Sequence, residues 1–252
     1  SSLLPYDFHL QTAIKTIEHA EDIYQQALNY QLDSFALQQV IASFSLHPET
    51  ALCPTLTVFA NISGLLEDSN ILQSPSLDFI NPLIKLVDSP AQFQRWQNDL
   101  KSNPDLPAKI SLQHQFHLYI IQQLQEAGAN IVAGTDAGIG ITVPGFSIHR
   151  ELAYYKEAGL SNFEVLQTAT ANPAKTHGFL RNAGTIKPGK KANLILLSQN
   201  PLEDLETLKH PHWVMVNGRK LETATLRLFV EKAKERKNTA SSLIRYLDYL
   251  FR

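Results

Sequence analysis

The sequence predicts an α/β fold of parallel strand–helix units, followed by a small β module and a helical tail. Three observations carry that prediction. Between Lys15 and Ala171, short β-favouring runs alternate with longer stretches whose apolar residues recur at helical spacing. Such alternation folds as β/α units because the helices cover the faces of the sheet that the strands build. Beyond His177-Gly178 the texture changes to short strands between Gly and Pro turn signals, and from Thr223 to Arg252 a helical period returns.

Taken in order, His9 to Lys15 reads as a short helical stretch, and Lys15-Thr-Ile-Glu-His-Ala20 as a strand ending at His19. Glu21 to Ser45 has helical spacing through Ile23, Ala27, Leu28, Leu32, Phe35 and Leu37, and His47-Pro48 closes it. Ala51-Leu-Cys-Pro-Thr-Leu-Thr-Val58 is the next strand, made irregular by Pro54. The Ser, Asn, Asp and Pro-rich region from Asn61 to Leu106 reads as an insertion of short helices over the strand tips. Leu112 to Ala127 is a helix with Phe116, Ile120 and Leu124 on one side and Gly128 as its stop.

A third strand lies in Asn130-Ile-Val-Ala-Gly-Thr-Asp-Ala-Gly138, where the apolar run stops between two glycines with Asp136 between them. Helices follow at Phe146 to Ala158, stopped by Gly159, and at Asn162 to Ala171, capped by Ser161 and ended by Asn172-Pro173. Three parallel strands are not a complete barrel. Gly184-Thr-Ile-Lys-Pro-Gly189 is a turn, Ala192 to Leu197 and Trp213-Val-Met-Val216 are strands, and Asn217-Gly218 is a hairpin turn. Two strands cannot stand alone, so partner strands are expected from elsewhere. The tail places Leu243, Leu247, Leu250 and Phe251 on one face, and its mixed charge favours docking on its own domain over a membrane or partner helix. The divisions are thus 1–182, 183–222 and 223–252.

Composition narrows the function. At 44% hydrophobic and 18% charged, the 252 residues have a soluble globular make-up and enough chain for a substantial core. The 22 basic and 24 acidic residues leave a net charge of −2, too little field to gather nucleic acid or anionic lipid, so small-molecule chemistry is favoured. Cys53 is the only cysteine, which rules out an internal disulfide and a thiolate zinc cluster. No run approaches the ~18 apolar residues of a membrane span, and Ser1-Ser-Leu-Leu-Pro-Tyr6 is not a signal peptide. With Met215 its only methionine, the chain is expected to begin inside a longer protein, and a cytoplasmic location is favoured with export left open.

His19 and Asp136 both end strands, and the C-terminal tips of strands in a helix-covered sheet are where side chains reach a ligand. An imidazole and a carboxylate converging there suit a divalent metal, and the Asp could take a proton from the metal's water. The residues alone leave this open against a core histidine and an Asp that merely caps a turn.

The order of motifs resembles the amidohydrolase superfamily of metal-dependent hydrolases, in its imidazolonepropionase and prolidase-like group. The matching pieces are Thr16-Ile-Glu-His-Ala-Glu21, Cys53-Pro-Thr-Leu56, Ala133-Gly-Thr-Asp-Ala-Gly138, Ser147-Ile-His-Arg-Glu-Leu152 with Ala158-Gly-Leu-Ser161, Ala169-Thr-Ala-Asn-Pro-Ala174, Gly184 to Leu194, and Val214-Met-Val-Asn-Gly218. The resemblance implies the C-terminal part of a (β/α)8 TIM-type barrel, strands six to eight, with part of a small β-sandwich domain. It implies His19 as the metal-binding His of strand six, and Asp136 as the strand-eight metal ligand and general base. The implied reaction is attack of metal-activated water on an amide or cyclic amide. The implied cofactor is one or two divalent ions, zinc first, with Mn, Fe or Co as alternatives.

The family's strand-one His-x-His, strand-four Lys or Glu and strand-five His have no counterpart here and would lie upstream of Ser1. A missing N-terminal barrel half is therefore the expected partner beside a small-molecule substrate. Uncovered strand edges make the chain alone poorly soluble or a homo-oligomer. His149 and Thr55 are candidates for substrate or second-shell contacts, and Asn61 lies near the same tip. His114 and His117, on an outer helix, are expected to be solvated, His210-Pro-His212 to be surface, and Glu18 to be structural. Asn193, where the family usually has Asp, reads as a neutral change. The rival reading is a catalytically silent fragment or interaction protein that keeps the fold. A phosphate-binding loop at Gly134 to Gly140 lacks both the Lys and the glycine spacing it would need.

Overall fold

A computed structural model describes residue 12, residues 14–235 and residues 239–251; most of the expected helix from His9 to Lys15 lies outside them. Strands β1 (Thr16–Glu18), β2 (Ala51–Cys53) and β3 (Asn130–Ile131) form a parallel sheet in that order. Register pairs Ile17 with Leu52 and Leu52 with Ile131. Because side chains alternate across a strand, these three residues share one face and are buried in one cluster with Val40, Phe44, Ile120, Ile121, Leu124 and Leu152. Each such side chain contributes about 1.5–3 kcal/mol when fully buried. Ala51, Cys53 and Val132 form a separate small cluster.

The first connection starts as α1 (Ala20–Asp22), continues as a π-helical turn over Ile23–Ala27, and resumes as α2 (Ser34–Leu46). The single helix expected from Glu21 to Ser45 is broken because Asn29 and Tyr30 take left-handed backbone, with φ of 47° and 60°. Asp33 then restarts it, accepting from the Phe35 and Ala36 amides at 2.8 and 3.1 Å. The second strand is shorter than expected. Pro54 has no amide to donate and Thr55 is left-handed, so the ladder ends at Cys53 and α3 (Leu56–Glu67) begins.

The inserted region holds 3-10 turns at Ser69–Gln73 and Pro75–Phe79, a π turn at Ile84–Asp88 and α4 (Ser89–Ser102). It has a core of its own around Leu65, Leu77, Ile80, Ile141 and Val143. Helix α5 runs from Leu106 to Glu126, starting ahead of the expected Leu112 because Pro107 sits in its first turn. After β3 come α6 (Ser147–Glu157), α7 (Asn162–Thr168) and α8 (Ala171–Thr176). The segment joining the last two packs along β3. The Ala133 amide donates to the Thr168 carbonyl and the Asn172 side chain to that of Ile131, both at 2.9 Å.

The β module has three antiparallel strands in order, β4 (Leu194–Leu196), β5 (Trp213–Val216) and β6 (Arg219–Glu222). The third went unseen because Arg-Lys-Leu-Glu carries almost no apolar signal. Asn217 and Gly218 both have positive φ, as a tight hairpin requires. The tail divides into α9 (Thr223–Lys234) and α10 (Thr239–Leu250). Leu243, Leu247, Leu250 and Phe251 stay exposed. Helix α10 meets the inserted region instead through Tyr246, whose hydroxyl donates to Asp88 at 3.2 Å, and through Ser242, whose carbonyl accepts from Asn81 at 3.2 Å. Among the described residues no helix is long and apolar enough to cross a membrane.

Candidate functional site

Each of the three parallel strands is followed by a non-glycine residue with positive φ: His19 at 70°, Thr55 at 51° and Asp136 at 51°. Left-handed backbone costs about 1–2 kcal/mol per ordinary residue, so the surrounding structure must hold these tips in place. At β1 the His19 amide donates to the Cys53 carbonyl at 2.9 Å. Thr55 Oγ1 then lies 2.7 Å from His19 Nδ1. With the proton on Nδ1 the imidazole donates to the hydroxyl, leaving Nε2 as the ring's lone-pair nitrogen.

Before Asp136, Gly134 is fixed by packing, since a Cβ there would collide with Cys53 Sγ. The Cys53 thiol is buried, and that burial, with the Glu18 carboxylate beside it, pushes its pKa far up. It stays protonated and unreactive.

His19, Asp136 and Thr55 line one cavity of about 200 Å³, together with Glu21, His117 and Ile139. Burial raises the Glu21 carboxyl, opposed by His19 and assisted by Asp22. His117 overturns the expectation of solvation, being 1% exposed. Helix α5 places it on the same face as Ile110, Ile120, Ile121 and Leu124. Its ring meets Phe59 edge-on at 4.8 Å, and burial pushes its pKa down to about 3, so it is neutral. The spacing that buries it was present in the sequence, three and four residues before Ile120 and Ile121. His114 is likewise not free in solvent: its Nδ1 is buried without a partner, and its ring packs edge-on to Tyr154 at 4.8 Å.

His149 is not brought to this cavity. It lines another, of about 140 Å³, with Lys156, Asp204 and Glu206, where burial first and Lys209 second lower its pKa. Asn61 is buried between Thr142, to which its amide donates at 2.9 Å, and Arg150, which donates to its Oδ1 at 3.0 Å.

The residue that sequence reading passed over is Glu151. Its side chain is fully buried. Oε1 accepts from the Leu56 amide at 2.9 Å, and Oε2 accepts from the Thr57 amide at 2.8 Å and the Thr57 hydroxyl at 2.7 Å. Burial raises its carboxyl, and these hydrogen bonds oppose the rise. Tyr155, also fully buried and one turn further along α6, donates its hydroxyl to the Val132 carbonyl at 3.3 Å. The available signal was a carboxylate beside Leu152 and one turn before Tyr155, on the helix's apolar side.

An imidazole and a carboxylate lining one cavity are donor types that suit a hard-to-borderline divalent ion. Among the described residues no group of three or more His, Cys, Asp or Glu is arranged to hold one.

A sequence model of the amidohydrolase family matches residues 93–221, about half of the chain. Ochratoxinase from Aspergillus niger is 33% identical over 106 residues, a stretch covering 41% of this chain and 21% of that protein. Among solved structures, a bottromycin amidohydrolase superposes with a TM-score of 0.67 at 22% identity, over 92% of this chain and 50% of its own. The A. niger ochratoxinase structure does so with a TM-score of 0.51 at 20% identity, over 84% of this chain and 38% of its own. At such identities the structural likeness is one of fold, and the chain spans half or less of each of these proteins.

Proposed function

Since the chain belongs to the amidohydrolase family, we propose that it supplies His19 and Asp136 to a metal-dependent hydrolase acting on carbon–nitrogen bonds of amides or cyclic amides. One observation carries the reading: residues from the tips of β1 and β3, which are not neighbours in the sheet, line a single cavity. A divalent ion, when bound, would polarise the substrate carbonyl and lower the pKa of its water to about 7.

His19 and Asp136 would hold that ion, zinc first among Zn, Mn, Fe and Co. Thr55 fixes the imidazole through Nδ1. Asp136 has the further task of accepting the water's proton and handing it to the leaving nitrogen. Ile139 and Phe59 supply apolar lining to the cavity. In this reading β1, β2 and β3 are strands six, seven and eight of an eight-stranded barrel, and the remaining donors come from a part of the protein outside this chain.

Zinc titration of the purified chain, followed by calorimetry, tests the reading. The wild type is expected to bind, and Asp136→Asn to bind at least about tenfold more weakly with unchanged far-UV circular dichroism. Zinc bound equally well by the wild type and by Asp136→Asn would instead favour a catalytically silent protein that keeps the fold for interaction.

A further inference from the structure

We propose that Glu151 is a positioning residue for the His19–Asp136 cavity, replacing the ordinary cap of α3 so that the Thr55 hydroxyl is available to hold His19. The inference rests on the reading of His19 as the ion-holding imidazole.

A helix start leaves its first amides without partners, and the residue just before it usually satisfies them with a side-chain oxygen. Thr55 occupies that position in α3 and carries the right group. Yet it makes no capping bond, because its backbone is left-handed and its hydroxyl lies against His19 Nδ1. The cap comes instead from α6, where both Glu151 oxygens take the Leu56 and Thr57 amides. One turn along the same helix, Tyr155 donates its hydroxyl to the Val132 carbonyl, on the segment leading to Asp136. Helix α6 thus ties together, through Glu151, the turn that orients His19 and, through Tyr155, the stretch that carries Asp136.

Removing the charge alone should disturb this arrangement. A glutamine offers one acceptor oxygen and turns an NH2 group toward a backbone amide, so one of the two amides loses its partner. The Thr55 hydroxyl is then drawn to the orphaned amide and away from His19.

The test uses the full chain with 15N-labelled histidine, reading the His19 ring nitrogens by NMR above neutral pH, and zinc affinity beside it. In the wild type, His19 should show one tautomer, protonated on Nδ1. In Glu151→Gln, and in Thr55→Val, it should show a mixture of tautomers, with zinc binding weakened about 10- to 100-fold. Glu164→Gln, which alters a capping acid elsewhere, should change neither.

A folded Glu151→Gln chain with an unmoved His19 ring and zinc affinity within twofold of wild type overturns the proposal. Should Glu151→Gln fail to fold, Glu151→Asp keeps the charge but shortens the reach to the two amides, and an unmoved ring there overturns it equally. Zinc bound equally well by the wild type and by Asp136→Asn refutes the metal-site reading instead, and the ring signal still decides the role of Glu151.

Discussion

Glu151 and Glu164 each hold the first turn of a helix, in opposite surroundings. Glu164 works locally. It closes a capping box with Ser161 at the start of α7, close to the surface, and hydrogen bonds from Ser161 draw its carboxyl below the usual carboxylate range. Glu151 works at a distance, reaching from α6 to the start of α3, and burial drives its carboxyl the other way. A local cap secures one helix, whereas a remote buried cap fixes the angle and register between two. Around Glu151, polar groups are buried and shared; at the start of α7 and in the β hairpin they are exposed and separable.

Alanine at the two glutamates should separate the regions most widely. Glu151→Ala leaves the Leu56 and Thr57 amides buried without their acceptor, a loss of about 2 kcal/mol or more at roughly 1–3 kcal/mol per group. Glu164→Ala removes a cap that water can replace, at about 1 kcal/mol. Urea midpoints of the two variants, compared at constant slope, measure the gap. Equal losses would mean that burial does not distinguish these two acids.

His117 offers a second contrast, through pH. Its folded pKa is about 3 against an ordinary 6.5, so in that window the unfolded chain takes up a proton that the folded chain refuses. Its contribution to stability is therefore fully present above pH 6.5 and is lost as pH falls toward 3, by at most about 1.4 kcal/mol per pH unit. Glu151 acts with the opposite sign, since a raised carboxyl is protonated first in the folded chain. The difference between the wild type and His117→Gln cancels that contribution and isolates the histidine. Urea midpoints at descending pH should fall faster for the wild type. Parallel falls would contradict a buried neutral His117.

The same division explains what was legible in the sequence. Strands at Thr16–Glu18, Ala51–Cys53 and Asn130–Ile131, and helices such as Ser147–Glu157, follow from apolar periodicity, a property of contiguous residues. The convergence of His19 and Asp136 on one cavity was anticipated from strand tips and motif order. Thr55, proposed as a neighbour of the site, touches His19 directly. Glu151 was hidden because its partners, Leu56 and Thr57, lie far away in sequence, and periodicity says nothing about long-range polar pairs. His117 was misread through a rule about outer helices, although its own spacing marked it as inward. His149 was placed at the mouth by its distance from Asp136, but α6 turns it toward Asp204 and Glu206.

The smallest expected effect lies in the β module, at Asn193. Its Oδ1 accepts from the Asn217 amide at 2.7 Å and so holds the hairpin turn. Aspartate at this exposed position keeps that oxygen, and nothing opposes its charge as burial does at Glu151. Asn193→Asp should therefore shift stability by no more than about 0.5 kcal/mol. Glu151→Gln, the reverse exchange of amide and carboxylate, puts a donor against a buried donor and should cost several times more. Thermal melts of both variants against the wild type make the comparison. If Asn193→Asp proved as damaging as Glu151→Gln, the identity of the acceptor rather than its burial would govern both sites.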